Sequence, residues 1–304
     1  MSETILEIRG LTKKYGELTA LNQLNLEVKS GTIYGILGPN GSGKTTTLGI
    51  VLGILNASSG SFSWFGNGEL DENRKRIGAL LETPNFFPYL SAVRNLEIVC
   101  KIKGLENTEV AIEEAIKKVR LWNRKDSKFK TFSLGMKQRL AIASALMGDP
   151  DVLVLDEPTN GLDPQGIREI RDLIREIANS GKTVIIASHQ LDEIEKVCTD
   201  VIIIKNGVTL KESKIDEIME GNLEVVIGTE EFDKAKTIAS SMNGINNVRE
   251  KEGKLYLEID ENTNAKTINE HFHKNGIVLS HLGNYKKSLE EQFLELTEEG
   301  GEQA

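Results

Sequence analysis

Apolar and polar side chains alternate in two stretches near the start of the chain, ILEIRGLTKKYG (5–16) and NQLNLEVKSG (22–31). This period of two is typical of strands that bury one face. Three later runs, at residues 32–37, 151–156 and 183–188, are apolar on both faces. Because such strands occur in parallel sheets covered by helices, the pattern predicts an α/β fold with a mostly parallel sheet.

Helical spacing of apolar residues appears between these strands. In residues 105–122 the spaced positions are Val110, Ile112, Ile116 and Val119. No strong strand pattern lies between about residues 85 and 147, so we expect a helical insertion there.

A further helix should begin at Asp163-Pro164, where an N-cap residue precedes a proline at the first helical position. It should end near Gly181. The segment VIIIKNGVTLKE (201–212) predicts a hairpin around its Asn-Gly pair.

The pattern changes after about residue 220. The order becomes strand, helix, hairpin, helix, strand, with the last strand expected at IVLSHL (277–282). This is the order of a split βαβ, ferredoxin-like unit. We therefore expect one domain at 1–219 and a small α+β accessory domain at 220–304.

Composition and charge narrow the class of protein. A chain of 304 residues with 39% hydrophobic and 27% charged residues is typical of a soluble globular protein of two domains. No apolar run is long enough to span a bilayer, and the start MSETILEIRG lacks the features of a signal peptide. Cys100 and Cys198 have no disulfide or metal spacing, so we expect a reduced, cytoplasmic chain. Residues 220–304 carry 17 acidic and 9 basic side chains, which argues against nucleic-acid binding there.

The segment GPNGSGKT (38–45) fits the phosphate-binding pattern G-x-x-x-x-G-K-[ST] in full. A predicted strand precedes it and an apolar helix follows it. Its glycines let backbone N–H groups turn toward phosphate oxygens, and the helix N-terminus adds a partial positive charge. Lys44 should reach the terminal phosphates, and the Thr45 hydroxyl can bind Mg²⁺.

Ionisable side chains directly follow several predicted strands. Asp156 can hold Mg²⁺ through water, and Glu157 can act as the general base on the attacking water. A neutral His189 can hydrogen-bond a γ-phosphate or that water. Because ligands gather at the carboxyl ends of parallel strands, we expect these groups along one edge of the sheet. The predicted catalytic residues are Lys44, Glu82, Glu157 and His189.

Over roughly residues 4–219, these ordered motifs resemble the nucleotide-binding subunit of an ATP-binding cassette (ABC) transporter. Tyr15 in KKYG matches the aromatic residue that stacks on adenine, and His189 matches the switch histidine. DEPTNGLDP (156–164) matches the second acidic motif, with Asp163 at the dimer-facing position. The residues that match the family's P-loop are Gly38, Pro39, Asn40, Gly41, Ser42, Gly43, Lys44, Thr45 and Thr46.

The resemblance implies a P-loop NTPase core with a mostly parallel sheet, an antiparallel β subdomain and a helical subdomain at about 85–147. It implies ATP and Mg²⁺ as cofactors. The metal-binding residues would be Thr45, Glu82 and Asp156.

FSLGMKQRLAIASAL (132–146) lies where the family has its signature, usually Leu-Ser-Gly-Gly-Gln. Leu134 replaces a glycine and Met136 replaces the glutamine, whereas Ser133 and Gly135 are kept. A serine hydroxyl and backbone N–H groups at a helix N-terminus bind anions, so we expect Ser133 and Gly135 to contact ATP.

The family's architecture implies a homodimer that encloses two ATP molecules, each between the P-loop of one chain and the Ser133 segment of the other. It also implies a separate transmembrane permease, a peripheral position at the cytoplasmic face of the membrane, and no nucleic-acid partner. The alternative is a soluble ATPase of the family that acts on ribosomes or DNA. Such proteins usually carry two cassettes or a long insertion, and this chain shows neither. A third possible class is a nucleotide-gated switch that binds ATP but barely hydrolyses it. The presence of both Glu157 and His189 argues against that class.

The family usually has Gln at the position of Glu82, where it contacts Mg²⁺ and the attacking water. GALLETPNFFPYLSAVRNL (78–96) and FSLGMKQRL resemble the bacitracin-resistance and lantibiotic-immunity branch, in which this Glu recurs. The resemblance implies an exporter of a drug or antimicrobial peptide. Without it, Glu82 could be a solvated residue at a strand end or could face a ligand. Phe86, Phe87 and Tyr89 either form a groove for a permease helix or pack the helical subdomain.

Overall fold

The computed structural model describes residues 3–66, 70–81, 85–220, 223–260, 262–286, 289 and 291. The chain divides into two compact units, Met1–Lys214 and Ile215–Ala304. Within the described ranges, no helix is both long enough and apolar enough to cross a membrane.

The strands of the first unit form two sheets. Their bounds are β1 Thr4–Tyr15, β2 Leu18–Lys29, β3 Ile33–Leu37, β4 Ser59–Trp64, β5 Ile77–Leu80, β6 Val152–Asp156, β7 Thr183–Ser188, β8 Asp200–Lys205 and β9 Val208–Lys214. In the described part of the chain, a six-stranded sheet has the order β5-β6-β7-β3-β8-β9 and a three-stranded sheet the order β2-β1-β4. The larger sheet is parallel from β5 to β8, whereas β9 and the smaller sheet pair antiparallel. The predicted mostly parallel sheet and antiparallel β subdomain are confirmed.

The central strands lie in the interior because their side chains are apolar on both faces. Every residue of β3, β6 and β7 is buried. The predicted hairpin joins β8 to β9 through Asn206 and Gly207, whose φ angles are 51° and 77°. Positive φ at both positions is what the type I′ turn requires, and Asn-Gly supplies it at low cost.

The helices of the first unit lie between these strands. Their bounds are α1 Lys44–Val51, α2 Leu70–Asn73, α3 Ala92–Lys103, α4 Thr108–Lys118, α5 Leu134–Leu146, α6 Pro164–Asn179 and α7 Leu191–Val197. Helix α6 begins as predicted, because Asp163 Oδ1 accepts a hydrogen bond of 2.8 Å from Gly166 N. Helices α3, α4 and α5 fill residues 85–147, where the only strand pairing is an isolated bridge between Ser91 and Lys128. This part of the fold is the predicted helical subdomain.

The apolar pattern of α4 was predicted incorrectly at one position. Ile112, Ile116 and Val119 are buried, but the side chain of Val110 is 59% exposed. At about 100° per residue, Val110 lies on the face of the helix opposite to Ile112. Its inclusion in the stripe was wrong because a spacing of two does not share a helix face.

The second unit has the element order of a ferredoxin-like fold. Its elements are α8 Ile215–Glu220, β10 Leu223–Gly228, α9 Phe232–Ser241, β11 Ile245–Lys251, β12 Lys254–Ile259, α10 Ala265–Lys274 and β13 His281–Lys286. The described strands form an antiparallel sheet in the order β11-β12-β10-β13. Side chains of β10 and β12 pack on α9 and α10 in a separate core, as Val225, Leu257, Ala235 and Phe272 show. The predicted ferredoxin-like class is confirmed.

The position of the last strand was predicted incorrectly. The strand lies at His281–Lys286 rather than at 277–282. Gly276, with φ of 73°, ends α10, and Ile277 N donates a hydrogen bond of 3.0 Å to Phe272 O. This is the Schellman ending of a helix, in which the apolar residue after the glycine packs back on the helix. Ile277 is therefore buried as part of the helix end, and the strand begins later.

Candidate functional site

The phosphate-binding loop connects β3 to α1, and its backbone needs glycine. Gly41 and Gly43 have φ angles of 81° and 107°, in the region that L side chains rarely adopt. A Cβ on Gly43 would lie 2.7 Å from Ala20 O, and a Cβ on Gly38 would lie 2.2 Å from Ile204 O. The glycines thus let the loop fold tightly between β2 and β8 and end at the N-terminus of α1.

The Lys44 ammonium group lies inside this loop. Its side chain is 5% exposed, and Nζ donates hydrogen bonds to Gly38 O at 2.8 Å and Pro39 O at 3.2 Å. Glu157 Oε1 lies 3.7 Å from the same Nζ atom. Ser42 Oγ is buried and has no hydrogen-bond partner among the described residues. A buried cation, a hydroxyl and a helix N-terminus in one loop fit a bound phosphate chain.

Thr45 and Asp156 form an oxygen pair beside the loop. Thr45 Oγ1 donates a hydrogen bond of 2.8 Å to Asp156 Oδ2. The hydroxyl is on the first turn of α1, and the carboxylate is at the buried end of β6, where Asp156 is 1% exposed. Hard oxygen ligands of this kind are those that Mg²⁺ prefers, so the pair fits a magnesium site.

Glu157 has a left-handed backbone, with a φ of 48°. For a residue with a side chain, this region costs roughly 1–2 kcal/mol. Two hydrogen bonds hold the conformation, from Glu157 N to Ala187 O at 2.9 Å and from Asn160 N to Glu157 O at 3.2 Å. Strain of this kind is typical of functional residues, and here it positions the carboxylate at the end of β6.

The carboxylate of Glu157 contacts the imidazole of His189. Glu157 Oε2 lies 2.9 Å from His189 Nδ1, and the two side chains are 19% and 35% exposed. Because an ionised carboxylate can only accept, Nδ1 carries the proton of a neutral His189. That tautomer leaves Nε2 as an acceptor, which can take a proton from a water or hydroxyl group.

Three of the predicted catalytic residues meet at one edge of the sheet. Glu157, His189 and Lys44 follow the neighbouring strands β6, β7 and β3, and two short contacts join them through Glu157. Glu82, predicted to act on the metal and the water, lies outside the described residues. The adjacent strand β5 ends at Leu80 and is parallel to β6.

The Ser133 segment lies at the N-terminus of α5. Ser133 caps this helix, since its Oγ accepts a hydrogen bond of 3.3 Å from Met136 N. A groove of about 340 Å³ separates this helix N-terminus from that of α6, and Ser133, Gly135 and Asp163 line it. Leu134, which is 44% exposed, contacts the loop before α6, where a Cβ on Gly161 would lie 3.2 Å from Leu134 Cδ2.

Tyr15 lies at the end of β1 with an exposed ring. Its side chain is 47% exposed, and Lys13 Nζ lies 4.8 Å from the ring centroid. An exposed aromatic ring can stack on the base of a nucleotide, and a cation beside the ring can attract the phosphates of that nucleotide.

The aromatic residues after β5 differ in their exposure and in their contacts. The ring of Phe86 contacts that of Phe129 edge-on at 5.1 Å, inside the helical subdomain. Phe87 and Tyr89 contact each other at 5.9 Å and are 47% and 62% exposed. A groove of about 320 Å³ lies beside them and is lined by Leu81, Asn85, Phe86, Phe87, Ile98 and Ile102.

The sequence alone did not indicate two further residues near Glu157. The hydroxyl of Thr159 donates a hydrogen bond to the Glu193 carboxylate, and both side chains are buried. An acidic residue in the first turn of a helix usually faces water and interacts favourably with the helix dipole. The position of Glu193 in α7 therefore gave no indication of its buried contact with Thr159.

Comparisons with known proteins point to one family. Residues 21–160 match the family described as ABC transporter. The chain is 35% identical to the bacitracin transport ATP-binding protein BcrA of Enterococcus faecalis, over 98% of each chain. It is 39% identical to the lantibiotic transport ATP-binding protein SrtF of Streptococcus pyogenes, over 70% of this chain and 92% of that protein. Among solved structures, the dimeric post-hydrolysis state of the ATP-binding cassette MJ0796, bound to ADP and Pi, is 28% identical with a TM-score of 0.62. That match covers 69% of this chain and 99% of the other.

Proposed function

Because the chain belongs to the ATP-binding subunits of ABC transporters, which bind and hydrolyse ATP, we propose that it powers export of a drug or antimicrobial peptide through a separate membrane permease. The observation that carries this proposal is the similarity to a bacitracin transport protein over 98% of both chains, which includes the second unit. The 39% identity to a lantibiotic transport protein supports the same substrate class.

The site geometry supports a role for each residue in hydrolysis. Lys44 would neutralise the terminal phosphates at the N-terminus of α1, and the backbone of residues 38–46 would enclose them. Glu157 would accept a proton from the attacking water, and the proton on His189 Nδ1 would hold that carboxylate in place. Tyr15 would stack on the adenine.

Mg²⁺ would be held by Thr45 and Asp156, with Glu82 as a further ligand. When bound, the ion neutralises charge on the β- and γ-phosphates. Asp156 is buried at the end of β6, so its carboxylate is fixed before the nucleotide arrives. The hydroxyl of Thr45, which donates to Asp156 at 2.8 Å, would supply the second oxygen ligand.

We also propose that two copies of the chain enclose two ATP molecules. The N-termini of α5 and α6 face one groove, and Ser133 and Gly135 there would contact the nucleotide held by the partner's P-loop. The related cassette solved as a dimer with ADP and Pi supports this arrangement. Because these contacts exist only in the closed dimer, ATP shifts the population toward closure.

The exposed groove beside Phe87 and Tyr89 would receive a segment of the permease at the cytoplasmic face of the membrane. Ile102, which is 80% exposed, and Phe87 give the groove an apolar rim. Exposed apolar residues grouped in this way are typical of protein interaction sites.

A protection assay tests the proposed function. The chain is expressed together with a candidate permease in a sensitive bacterium, and the inhibitory concentrations of bacitracin and of a lantibiotic are measured. We expect protection with the wild-type chain and none with Glu157→Gln, which lacks the proposed base. If the wild-type pair hydrolyses ATP but protects against neither class, the substrate assignment is wrong and a partner outside the membrane becomes the better explanation.

A further inference from the structure

Helix α7 carries a buried carboxylate, that of Glu193, which has no role in the proposed hydrolysis. Glu193 is 7% exposed, although it lies in the first turn of a helix next to the exposed Asp192. Moving an ionisable group out of water is costly unless hydrogen bonds compensate. Burial raises the pKa of Glu193, and the hydrogen bond from Thr159 and the Arg171 guanidinium oppose that rise.

In the described part of the chain, this carboxylate accepts one side-chain hydrogen bond, which comes from the loop that follows the proposed base. Thr159 Oγ1 donates to Glu193 Oε2, and Thr159 is 1% exposed. Among the described residues, Glu193 Oε1 has no hydrogen-bond partner. The bond from Thr159 therefore holds the carboxylate, and it ties down the loop two residues after Glu157 in addition to the backbone bond from Asn160 N to Glu157 O.

The same contact also fixes the segment that carries His189. Glu193 lies four residues after His189, and α7 packs on β3, since a Cβ on Gly35 would lie 2.9 Å from Ile194 Cγ2. A closed ring results: Glu157 contacts His189, the chain continues to Glu193, Glu193 accepts from Thr159, and the chain returns to Glu157. Two side-chain hydrogen bonds, Glu157–His189 and Thr159–Glu193, thus join the segment after β6 to the segment after β7.

We propose that Thr159 and Glu193 are positioning residues, whose buried hydrogen bond holds Glu157 at the angle at which it reaches the attacking water. This inference rests on the catalytic role proposed for Glu157 and His189. The left-handed φ of 48° at Glu157 gives the physical need, because a strained residue keeps its conformation only while its surroundings hold it. Without the bond, the loop after Glu157 can relax, and the Glu157 carboxylate no longer points at the attacking water. The phosphate-binding loop keeps its conformation.

The test uses the full chain and two pairs of variants. Thr159→Val removes the hydroxyl at nearly constant volume, and Thr159→Ser keeps it. Glu193→Met removes the acceptor at similar length, and Glu193→Gln keeps it. We expect Thr159→Val and Glu193→Met to lower kcat by about 10- to 100-fold, as small displacements of catalytic groups do. Thr159→Ser and Glu193→Gln should restore kcat to within about threefold of the wild type.

Two further readouts separate positioning from stability. The KM for ATP should stay within about twofold in all four variants, because the phosphate-binding loop is unchanged. Glu193→Met leaves the buried Thr159 hydroxyl without its acceptor and so can lower stability. The melting temperature of every variant is therefore measured, and kcat is compared at a temperature at which all of them are folded. Combining Thr159→Val with Glu193→Met should cost no more than either change alone.

Asp192→Asn is the matched control, because Asp192 is on the same helical turn and its side chain is 70% exposed. It should leave kcat unchanged. The inference is overturned if Thr159→Val turns over like the wild type, or if Thr159→Ser and Glu193→Gln lose as much as the variants without the bond. Glu157→Gln and His189→Ala are run beside them. If these two also hydrolyse ATP normally, the proposed catalytic roles fail; if only Thr159→Val and Glu193→Met do, the positioning inference alone fails.

Discussion

Replacing Glu157 by Gln is the sharpest test of the catalytic site. The change keeps the shape of the side chain but removes its negative charge and its ability to accept a proton. General base catalysis contributes about 10²- to 10⁴-fold to a rate, so we expect kcat for ATP hydrolysis to fall by that factor. At 1.36 kcal/mol per factor of ten, this is about 2.7–5.4 kcal/mol in the activation free energy.

The same variant should bind ATP at least as well as the wild type. Glu157 Oε1 lies 3.7 Å from Lys44 Nζ, and the lysine side chain is 5% exposed. At an effective dielectric constant near 20, the Coulomb attraction across such a distance is about 4 kcal/mol before desolvation is counted. Without this carboxylate, the ammonium group of Lys44 interacts more fully with phosphate, and the closed ATP-bound dimer should accumulate.

The assay measures phosphate release at saturating Mg-ATP, and light scattering follows dimerisation on addition of ATP. Asp151→Asn is the control, because Asp151 precedes the same strand β6, is 52% exposed and forms an ion pair with the surface residue Arg76. Hydrolysis by Glu157→Gln within about threefold of the wild type would refute the assignment of the general base. A loss of ATP binding would instead refute the calculated effect on Lys44.

Four other predictions follow from single contacts. Thr45→Val removes the hydroxyl that is 2.8 Å from Asp156, so the Mg²⁺ concentration for half-maximal hydrolysis should rise about tenfold in a titration. Tyr15→Ala should weaken binding of a fluorescent ATP analogue about tenfold by loss of a stacking contact, and Tyr15→Phe should not. Gly161→Ala should lower the free energy of unfolding in urea by about 1 kcal/mol, since its φ is 75° and its Cβ would meet Leu134 Cδ2 at 3.2 Å. Burial raises the pKa of Glu193, so at a pH between its ordinary and its raised pKa the folded state binds a proton that the unfolded state releases. The stability of the fold should therefore decrease as pH rises through this range. In melting curves, Glu193→Gln should reduce this dependence of stability on pH.

Much of the fold follows from local patterns in the sequence. Strands apolar on both faces can only be buried on both faces, so β3, β6 and β7 had to form a covered sheet. The phosphate-binding loop is equally local, because the glycines, Lys44 and Thr45 act through one turn and one helix N-terminus. The order of the elements after residue 220 sufficed for the ferredoxin-like class.

The end of an element decided one of the wrong predictions. Ile277 has the apolar character of a strand residue, but its backbone bond to Phe272 makes it the end of a helix. The sequence left the surroundings of Phe86 and Phe87 open, because adjacent and chemically identical residues can meet different surfaces. In the fold, Phe86 contacts Phe129 and Phe87 contacts Tyr89. A sequence pattern gives the character of a side chain but not the surface that it meets.

The sequence alone indicated which residues carry the chemistry proposed to bind phosphate, magnesium and water, because that chemistry resides in the side chains. Which of these side chains meet depends on the tertiary fold. Glu157 and His189 are 32 residues apart in the chain and 2.9 Å apart in the fold, since the neighbouring strands β6 and β7 end together. The bond between Thr159 and Glu193 also joins the segments that follow these two strands. No local sequence pattern predicts it, because buried and exposed acidic residues cannot be distinguished until the packing around them is known.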